Sequence, residues 1–390
     1  MTTFQDRVRG VVAGVALGDA MGATVEKMTF AQIREQYGKV ESIMTRWYKA
    51  DWDEEARLGR MRGNGIITDD TLMTLALMRV YETKRRHLDA YDMSDEFVKE
   101  IAFRKTYVPE LGKETTIMER LFYPEKYIFI RHVLANCEPR EGGIGNMVNC
   151  GAAMYIAPVG IVNAGDPKAA YDEAILFAMG HQSSYGLEAA GVLAACVART
   201  MEPGCTVQDV LDTALHHAKD GTRLAIEACL DVAARLKRGS GSYEEVVRQL
   251  HAALLPYSPM GDDVHRHIDK VGKPSNHYTP SRLGSIEELP MALAMIHLHD
   301  GELYPAIIDG INSGRDTDSI GVMIGAILGA MHGIGAIRQE DLEQLNRVNR
   351  FDLIAASDSF AGVASEIIRQ DLRKLLRRQA VLNGGDASAD

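Results

Sequence analysis

GVVAGVALGDAMG, residues 10–22, carries a glycine at every fourth position. The same spacing recurs in GVMIGAILGAMHG, residues 321–333. Residues four apart lie on one face of a helix, so each stretch predicts a helix with one smooth side. A helical glycine costs about 1 kcal/mol relative to alanine, and a close approach of two backbones can offset that cost. We therefore predict that these two helices cross tightly and bring the acidic residues at their ends together. Close packing unrelated to any site is the alternative.

The helical period continues through most of the chain, whereas alternating strand patterns are weak and confined to residues 40–44 and 127–133. The pattern predicts an all-α fold, a compact single-domain helical bundle over residues 1–380 with a disordered tail at 381–390. Three polar, glycine-containing segments are too long for ordinary helix connections and are expected to form the walls of a cleft: 46–65, 104–151 and 258–284. The predicted helices are 4–19, 70–86, 167–179, 185–200, 207–219, 222–237, 243–254, 286–299, 304–311, 317–331 and 357–379.

Composition narrows the class of protein. The 390 residues include 46% hydrophobic and 25% charged residues, a normal globular mixture. The net charge of −11 argues against a nucleic-acid partner, because phosphate binding requires concentrated basic residues. Five cysteines without a C-x-x-C pair are typical of a reducing cytoplasm. Residues 319–337 lack charge over a length that could cross a bilayer, but five glycines and His332 favour a buried helix and no membrane partner.

Two short clusters of acids and hydroxyls each stand directly before a long apolar helical pattern. They are Thr68-Asp69-Asp70-Thr71 and Asp316-Thr317-Asp318-Ser319. Either cluster alone could be a helix cap favoured by the helix dipole. One cap needs one side chain, however, and each cluster offers three or four oxygen donors. Brought together, they would form an all-oxygen cage for Mg²⁺ or Mn²⁺ and indicate a metal-dependent enzyme.

Five motifs in order along the chain resemble the ADP-ribosylglycohydrolase family. Residues 18–26 are similar to its G-D-x-x-G-x-x-x-E motif, residues 68–73 to T-D-D-T-x-M, and residues 314–319 to G-G-D-T-D-T. The segment 143–154 resembles its glycine-rich substrate loop, and His181 with Gly186 and Ala190 resembles its histidine segment. The resemblance runs from about residue 4 to about residue 335. The oligomeric state of the protein is left open.

This resemblance implies an all-α bundle around two divalent cations, Mg²⁺ or Mn²⁺, with long loops forming the cleft. It implies Glu26 and Asp70 as catalytic residues, with Glu26 on a loop that could move over the site. The implied metal ligands are Thr68, Asp69, Asp70, Asp316, Asp318 and Ser319. The implied substrate-binding residues are Asp19, Gly143, Gly145, Asn149, Gly151 and His181. Glycines that merely form turns, and a histidine with a structural role, are the alternatives for the last group.

The activity implied is hydrolysis at the anomeric carbon of an ADP-ribosyl group attached to a protein side chain or a small molecule. Four positions depart from the family pattern. Arg315 and Ser319 replace Gly and Thr beside the second acidic cluster, and Cys150 and Tyr155 lie in the substrate loop, with Tyr155 where many relatives carry Arg. The loop changes keep a smaller N-riboside open as an alternative substrate. A catalytically silent ADP-ribose-binding protein is the third possibility, and retention of Glu26 and the four acids argues against it.

Overall fold

The computed structural model describes residues 2–237, 242–257 and 284–383. Helix α1 (Phe4–Gly22) begins at Thr3, whose hydroxyl accepts a 3.1 Å hydrogen bond from the Asp6 N–H while the Asp6 carboxylate accepts from the Thr3 N–H. This reciprocal capping satisfies amides that have no partner inside the helix. The same arrangement begins α2 (Phe30–Tyr37) at Thr29.

The remaining helices follow as α3 (Asp69–Lys84), α4 (Ala90–Asp92), α5 (Val98–Ala102), α6 (Ile117–Arg120), α7 (Tyr123–Ala135), α8 (Ala157–Val162), α9 (Pro167–Ala178), α10 (Tyr185–Thr200), α11 (Val207–His217), α12 (Asp220–Lys237), α13 (Tyr243–Leu254), α14 (Gly284–Leu298), α15 (Leu303–Asn312), α16 (Thr317–His332), α17 (Gln339–Asn349) and α18 (Leu353–Asn383). A π-helical turn, Met93–Phe97, joins α4 to α5. Short 3₁₀ turns lie at Pro109–Leu111, Pro139–Glu141, Ala153–Tyr155 and Ile334–Ala336. Within the described residues, the sheet consists of β1 (Lys105–Val108) paired antiparallel with β2 (Lys113–Thr116). The predicted all-α class is confirmed.

Both predicted strands are wrong. Residues 127–133 lie within α7, where Ile128, Phe129 and His132 are buried. Their spacing of one and four residues is that of a helix face, so burial overrides the strand propensity of the β-branched and aromatic residues. Residues 40–44 form an irregular segment that ends in a turn.

One of the three long segments and the start of the tail also differ from the prediction. The segment 104–151 holds the β1–β2 hairpin, α6 and α7 and is therefore not one long loop. Residues 381–383 continue α18, so the tail predicted at 381–390 does not begin at 381. Residues 384–390 of that tail and residues 258–283 of the third predicted loop lie outside the described residues.

The two glycine stripes pack against each other, as predicted. Helices α1 and α16 run antiparallel, and a Cβ built on Gly325 would lie 2.5 Å from the carbonyl carbon of Gly14. This distance is about 1 Å shorter than an ordinary carbon–carbon contact, so side chains larger than hydrogen do not fit. The other facing pairs are Gly10 with Gly329 and Gly18 with Gly321. The carboxyl end of α1 consequently lies beside the amino end of α16, where Thr317 Oγ1 donates a 2.7 Å hydrogen bond to the Gly22 carbonyl.

Backbone hydrogen bonds join the segments that follow α1 and precede α16. The Lys27 N–H donates to the Arg315 carbonyl at 2.8 Å, and the Arg315 N–H donates to the Met28 carbonyl at 2.7 Å. Arg315 adopts a left-handed φ of +74°, a conformation that favours glycine. Its guanidinium lies 3.2 Å from buried Glu287 on α14. These contacts place Glu26 next to the second acidic cluster.

Helix α16 is apolar around most of its circumference and is buried inside the bundle. A helix of this composition needs to be covered on all sides. No helix within the ranges that the structure describes combines the length and the apolar character needed to cross a bilayer.

Candidate active site

Asp19, at the end of α1, holds the amino terminus of α3. Its carboxylate accepts hydrogen bonds from the backbone N–H groups of Thr68 at 2.9 Å and Thr71 at 3.1 Å, and also from the Thr71 hydroxyl. Burial raises the pKa of Asp19 to about 6. Both carboxylate oxygens are occupied inside the protein. These contacts give Asp19 a role in positioning α3, and its substrate contact stays a prediction.

The two acidic clusters meet through a chain of hydrogen bonds. Ser319 Oγ donates to Asp70 Oδ2 at 3.1 Å. Cys150 Sγ donates to Asp316 Oδ2 at 3.1 Å and also lies 3.3 Å from Ser319 Oγ. The structure thus places Asp70, Asp316 and Ser319 in one buried pocket.

The carboxylates of Glu26, Asp316 and Asp318 converge beside these residues. One oxygen from each lies within 4.8 Å of the others. Burial raises the pKa of Asp318 well above its ordinary value, and the neighbouring charges of Glu26, Asp70 and Asp316 raise it further. The pKa of Asp70 is raised by burial and by three aspartates nearby. Such crowding of like charges favours a cation among them.

Two predicted metal ligands have partners within the protein. Thr68 is the N-cap of α3, and its hydroxyl accepts a 3.4 Å hydrogen bond from the Asp70 N–H. Asp69 forms a buried ion pair with Arg120 of α6. Helix capping, the alternative interpretation of the first cluster, therefore accounts for the position of Thr68. Asp70, in contrast, lies beside the second cluster.

A buried network of alternating charges links the two sides of the pocket. Glu26 pairs with Arg62, which lies 2.7 Å from Glu110 of the hairpin turn. Glu110 also pairs with Arg120, which in turn pairs with Asp69. Burial alone would raise the pKa of Glu110, but Arg120 and Arg62 outweigh it and lower the pKa to about 2. The network restrains both Glu26 and Asp69 through buried ion pairs.

Hydrogen bonds within the predicted substrate loop, residues 143–154, and to the segment that follows α9 hold this loop in place. Asn149 Oδ1 accepts hydrogen bonds from the Gly151 N–H at 2.8 Å and from Gln182 at 2.7 Å. A Cβ on Gly143 would meet the Gln182 backbone nitrogen at 2.5 Å, which explains the glycine there. Gly145 has a φ of +90°, and among the described residues no heavy atom lies within 4 Å of a Cβ built on it. Gly145 is thus an exposed position of the predicted loop with open space beside it.

His181 is fully buried beneath this loop. Its Nδ1 lies 2.8 Å from the Tyr155 hydroxyl, and its Nε2 contacts the Glu125 carboxylate. Both ring nitrogens therefore have partners inside the protein. Glu125 also accepts hydrogen bonds from Asn146 and Asn149 at 3.4 Å. These contacts make His181 part of the support of the loop, the structural alternative noted for it.

Several residues of the pocket have no local signal in the sequence. Arg62 lies in a segment predicted as loop, and Glu110 lies in a hairpin that was not predicted. Glu288, near the amino end of α14, lies beside Cys150 and Asp316. Isolated charged residues of this kind are usually solvated surface residues, and only their burial distinguishes them.

Comparisons with known proteins agree with the motifs. A sequence profile described as ADP-ribosylglycohydrolase matches residues 1–376. The ADP-ribosyl-[dinitrogen reductase] glycohydrolase of Rhodospirillum rubrum is 27% identical over 344 residues, covering 88% of this chain and 92% of that protein. The ADP-ribosylhydrolase ARH3 of Mus musculus is 25% identical over 370 residues, covering 90% of each chain.

A solved structure described as an ADP-ribosylglycohydrolase-related protein complex shares the fold, with a TM-score of 0.60 at 18% identity. It covers 93% of this chain and 100% of its own. The resemblance carried by the five motifs is thereby confirmed. The chain belongs to the ADP-ribosylglycohydrolase family, whose members are enzymes that hydrolyse ADP-ribosyl linkages.

Proposed function

We propose that the chain is a divalent-cation-dependent hydrolase that cleaves the bond between the anomeric carbon of an ADP-ribosyl group and its acceptor. The observation that carries this proposal is the convergence of Glu26, Asp70, Asp316 and Asp318, from opposite ends of the chain, in one pocket. Folding gains nothing from gathering like charges in this way, since burial and the neighbouring carboxylates raise the pKa values of Asp70 and Asp318. A site for a cation accounts for it.

The residues present fit Mg²⁺ or Mn²⁺. Carboxylate and hydroxyl oxygens are the ligands that these hard cations prefer. Asp70, Asp316, Asp318 and Ser319 would supply ligands to the ions, with Glu26 at the edge of the pocket. When bound, the cations would neutralise the carboxylates and polarise the ribose hydroxyls. Asp69 joins this set if Arg120 releases it, and Thr68 contributes by capping α3.

Glu26 is the carboxylate best placed for acid–base catalysis. It lies just beyond the end of α1, its side chain is 14% exposed, and Arg62 holds it against the pocket. Burial would raise the pKa of Glu26, but Arg62 and Lys27 lower it well below its ordinary value. Glu26 therefore stays ionised and orients an attacking water molecule; release from Arg62 would raise its pKa toward the range of a general base. Asp70, the other residue predicted to be catalytic, is almost fully buried and accepts a hydrogen bond from Ser319, so it would act as a ligand of the cations and not as the base.

The substrate is an ADP-ribosylated protein or a small ADP-ribosyl compound. Support comes from relatives whose names refer to ADP-ribosyl substrates. A smaller N-riboside is the second candidate, favoured by one observation. Tyr155 is fully buried and bonded to His181, so it cannot offer a side chain to a diphosphate at the position where many relatives carry arginine.

The test measures release of free ADP-ribose by metal-stripped protein, before and after addition of Mg²⁺ or Mn²⁺. Substrates are ADP-ribosyl-arginine, acceptors with other N- and O-glycosidic linkages, and a panel of small ribosides. Asp316→Asn is expected to weaken metal binding by about 100-fold or more, with a matching loss of turnover. Asp172→Asn is the matched control, since Asp172 is exposed on α9 and pairs with Lys168. Failure to release ADP-ribose from every acceptor with either metal would overturn the proposal.

A further inference from the structure

A second group of potential metal ligands adjoins the first and includes a thiol. Single donor atoms of Cys150, Glu288 and Asp316 all lie within 4.8 Å of one another. They come from three separate parts of the chain: the loop before the 3₁₀ turn at Ala153–Tyr155, the amino end of α14 and the N-cap of α16. Cys150 is 6% exposed and Glu288 is fully buried. Neither belongs to the ligand set implied by the motifs.

Asp316 belongs to both groups. It lies with Glu26 and Asp318 on one side and with Cys150 and Glu288 on the other. A carboxylate has two oxygens and can bridge two cations about 3.5–4 Å apart. The pocket therefore has two neighbouring halves, one with oxygen donors alone and one with a sulfur donor as well.

We propose that the cation on the α14 side is bound by the Cys150 thiolate together with Glu288 and Asp316, and that this half of the pocket selects Zn²⁺ over Mg²⁺. The inference rests on the proposed metal-dependent function and assigns one of its two ions. Thiolate is a soft ligand that Mg²⁺ avoids and Zn²⁺ prefers. On binding, the S–H bond breaks, the sulfur lone pair forms the metal–sulfur bond and the proton passes to the buffer.

The observed spacing is close to that of such a site. Cys150 Sγ and Asp316 Oδ2 lie 3.1 Å apart. Zinc bonds of about 2.3 Å to sulfur and about 2.1 Å to oxygen, at a tetrahedral angle, would separate the two atoms by about 3.6 Å. The donors thus need to open by about half an ångström, which a side-chain rotation provides.

Cobalt(II) provides a direct test, because it substitutes for zinc and a thiolate ligand gives it a charge-transfer absorption in the near ultraviolet. The full-length, metal-stripped protein is titrated with Co²⁺ while absorbance is recorded, and bound metal is counted by equilibrium dialysis. The unmodified protein is expected to show the band and to bind two ions. Cys150→Ser is expected to lose the band and to bind Co²⁺ or Zn²⁺ at this half about 100-fold more weakly.

Cys196→Ser is the matched control, since Cys196 is also buried but lies on α10 with its thiol toward the Val210 carbonyl. This control is expected to keep the band, and Glu288→Gln is expected to weaken Zn²⁺ binding without removing it. Circular dichroism of each variant confirms that it is folded. Two bound Co²⁺ ions without a charge-transfer band, or a band that survives in Cys150→Ser, would overturn the inference and leave the proposed hydrolase intact. Absence of any bound metal would remove both.

Discussion

Replacing Gly325 with alanine is expected to destabilise the protein, although alanine is the better helix former. Alanine in place of a helical glycine gains about 1 kcal/mol. At Gly325, however, the new Cβ would lie 2.5 Å from the carbonyl carbon of Gly14 and 3.2 Å from its Cα. Both atoms are backbone, so α1 and α16 must separate by about 1 Å instead of one side chain rotating away. Overpacking of a core typically costs 1–3 kcal/mol, and a contact between two rigid backbones lies near the upper end of that range. After subtraction of the gain of about 1 kcal/mol in helix propensity, we expect a net loss of stability of about 2 kcal/mol.

The assay is thermal unfolding of the metal-free protein. With an unfolding entropy of about 2.1 cal/mol/K per residue over 390 residues, a loss of 2 kcal/mol lowers Tm by about 2–3 °C. Gly362→Ala is the matched control. Gly362 lies within α18, and among the described residues no heavy atom is within 4 Å of a Cβ built there, so Tm is expected to rise slightly. Equal or higher stability of Gly325→Ala would refute the packing argument. If the separation reaches the helix ends, metal affinity falls as well.

Three further changes probe the pocket and its surroundings. Glu110→Gln leaves two buried arginines without their shared carboxylate, and urea unfolding is expected to show a loss of about 3–5 kcal/mol. The pKa of His87 is raised to about 9, because its two carboxylate partners outweigh burial, so its stabilisation is complete below pH 6.5 and lost as the pH rises through 9. His87→Gln should flatten the pH dependence of unfolding over that window, by no more than about 3 kcal/mol. Asp19→Asn is expected to weaken metal binding about 10–100-fold by loosening α3, with KM for the substrate little changed.

Each of these has its own control or contrary result. Glu114→Gln changes an exposed glutamate in the same hairpin and should leave stability within about 0.5 kcal/mol. His216→Gln changes an exposed histidine and should keep the pH dependence of the unmodified protein. An unchanged metal affinity with a raised KM in Asp19→Asn would restore the predicted substrate contact.

The pocket was predictable wherever chemistry and spacing coincide in a short stretch. Asp70, Asp316 and Asp318 stand in compact clusters before helices, and their meeting was predicted from the glycine spacing of α1 and α16. The partners of those acids were not predictable. Arg62 and Glu110 are single charged residues in stretches without periodicity, so nothing local separates them from surface residues.

The errors in secondary structure have a related cause. Residues 127–133 combine strand propensity with a helical spacing of buried side chains, and packing against His181 decides for the helix. The β1–β2 hairpin is short, and its strands face the interior at few positions, so it left little alternation in the sequence.

Sequence patterns were sufficient to predict the all-α class, the contact face of α1 and α16, and the acids at the ends of those helices. Each of these depends on a period or a cluster within a few helical turns. Only the packed structure shows that Arg120 pairs with Asp69 and that Cys150 lies beside Glu288. Those contacts join residues far apart in the chain, and their geometry follows from how whole helices pack. Local sequence patterns do not predict that packing.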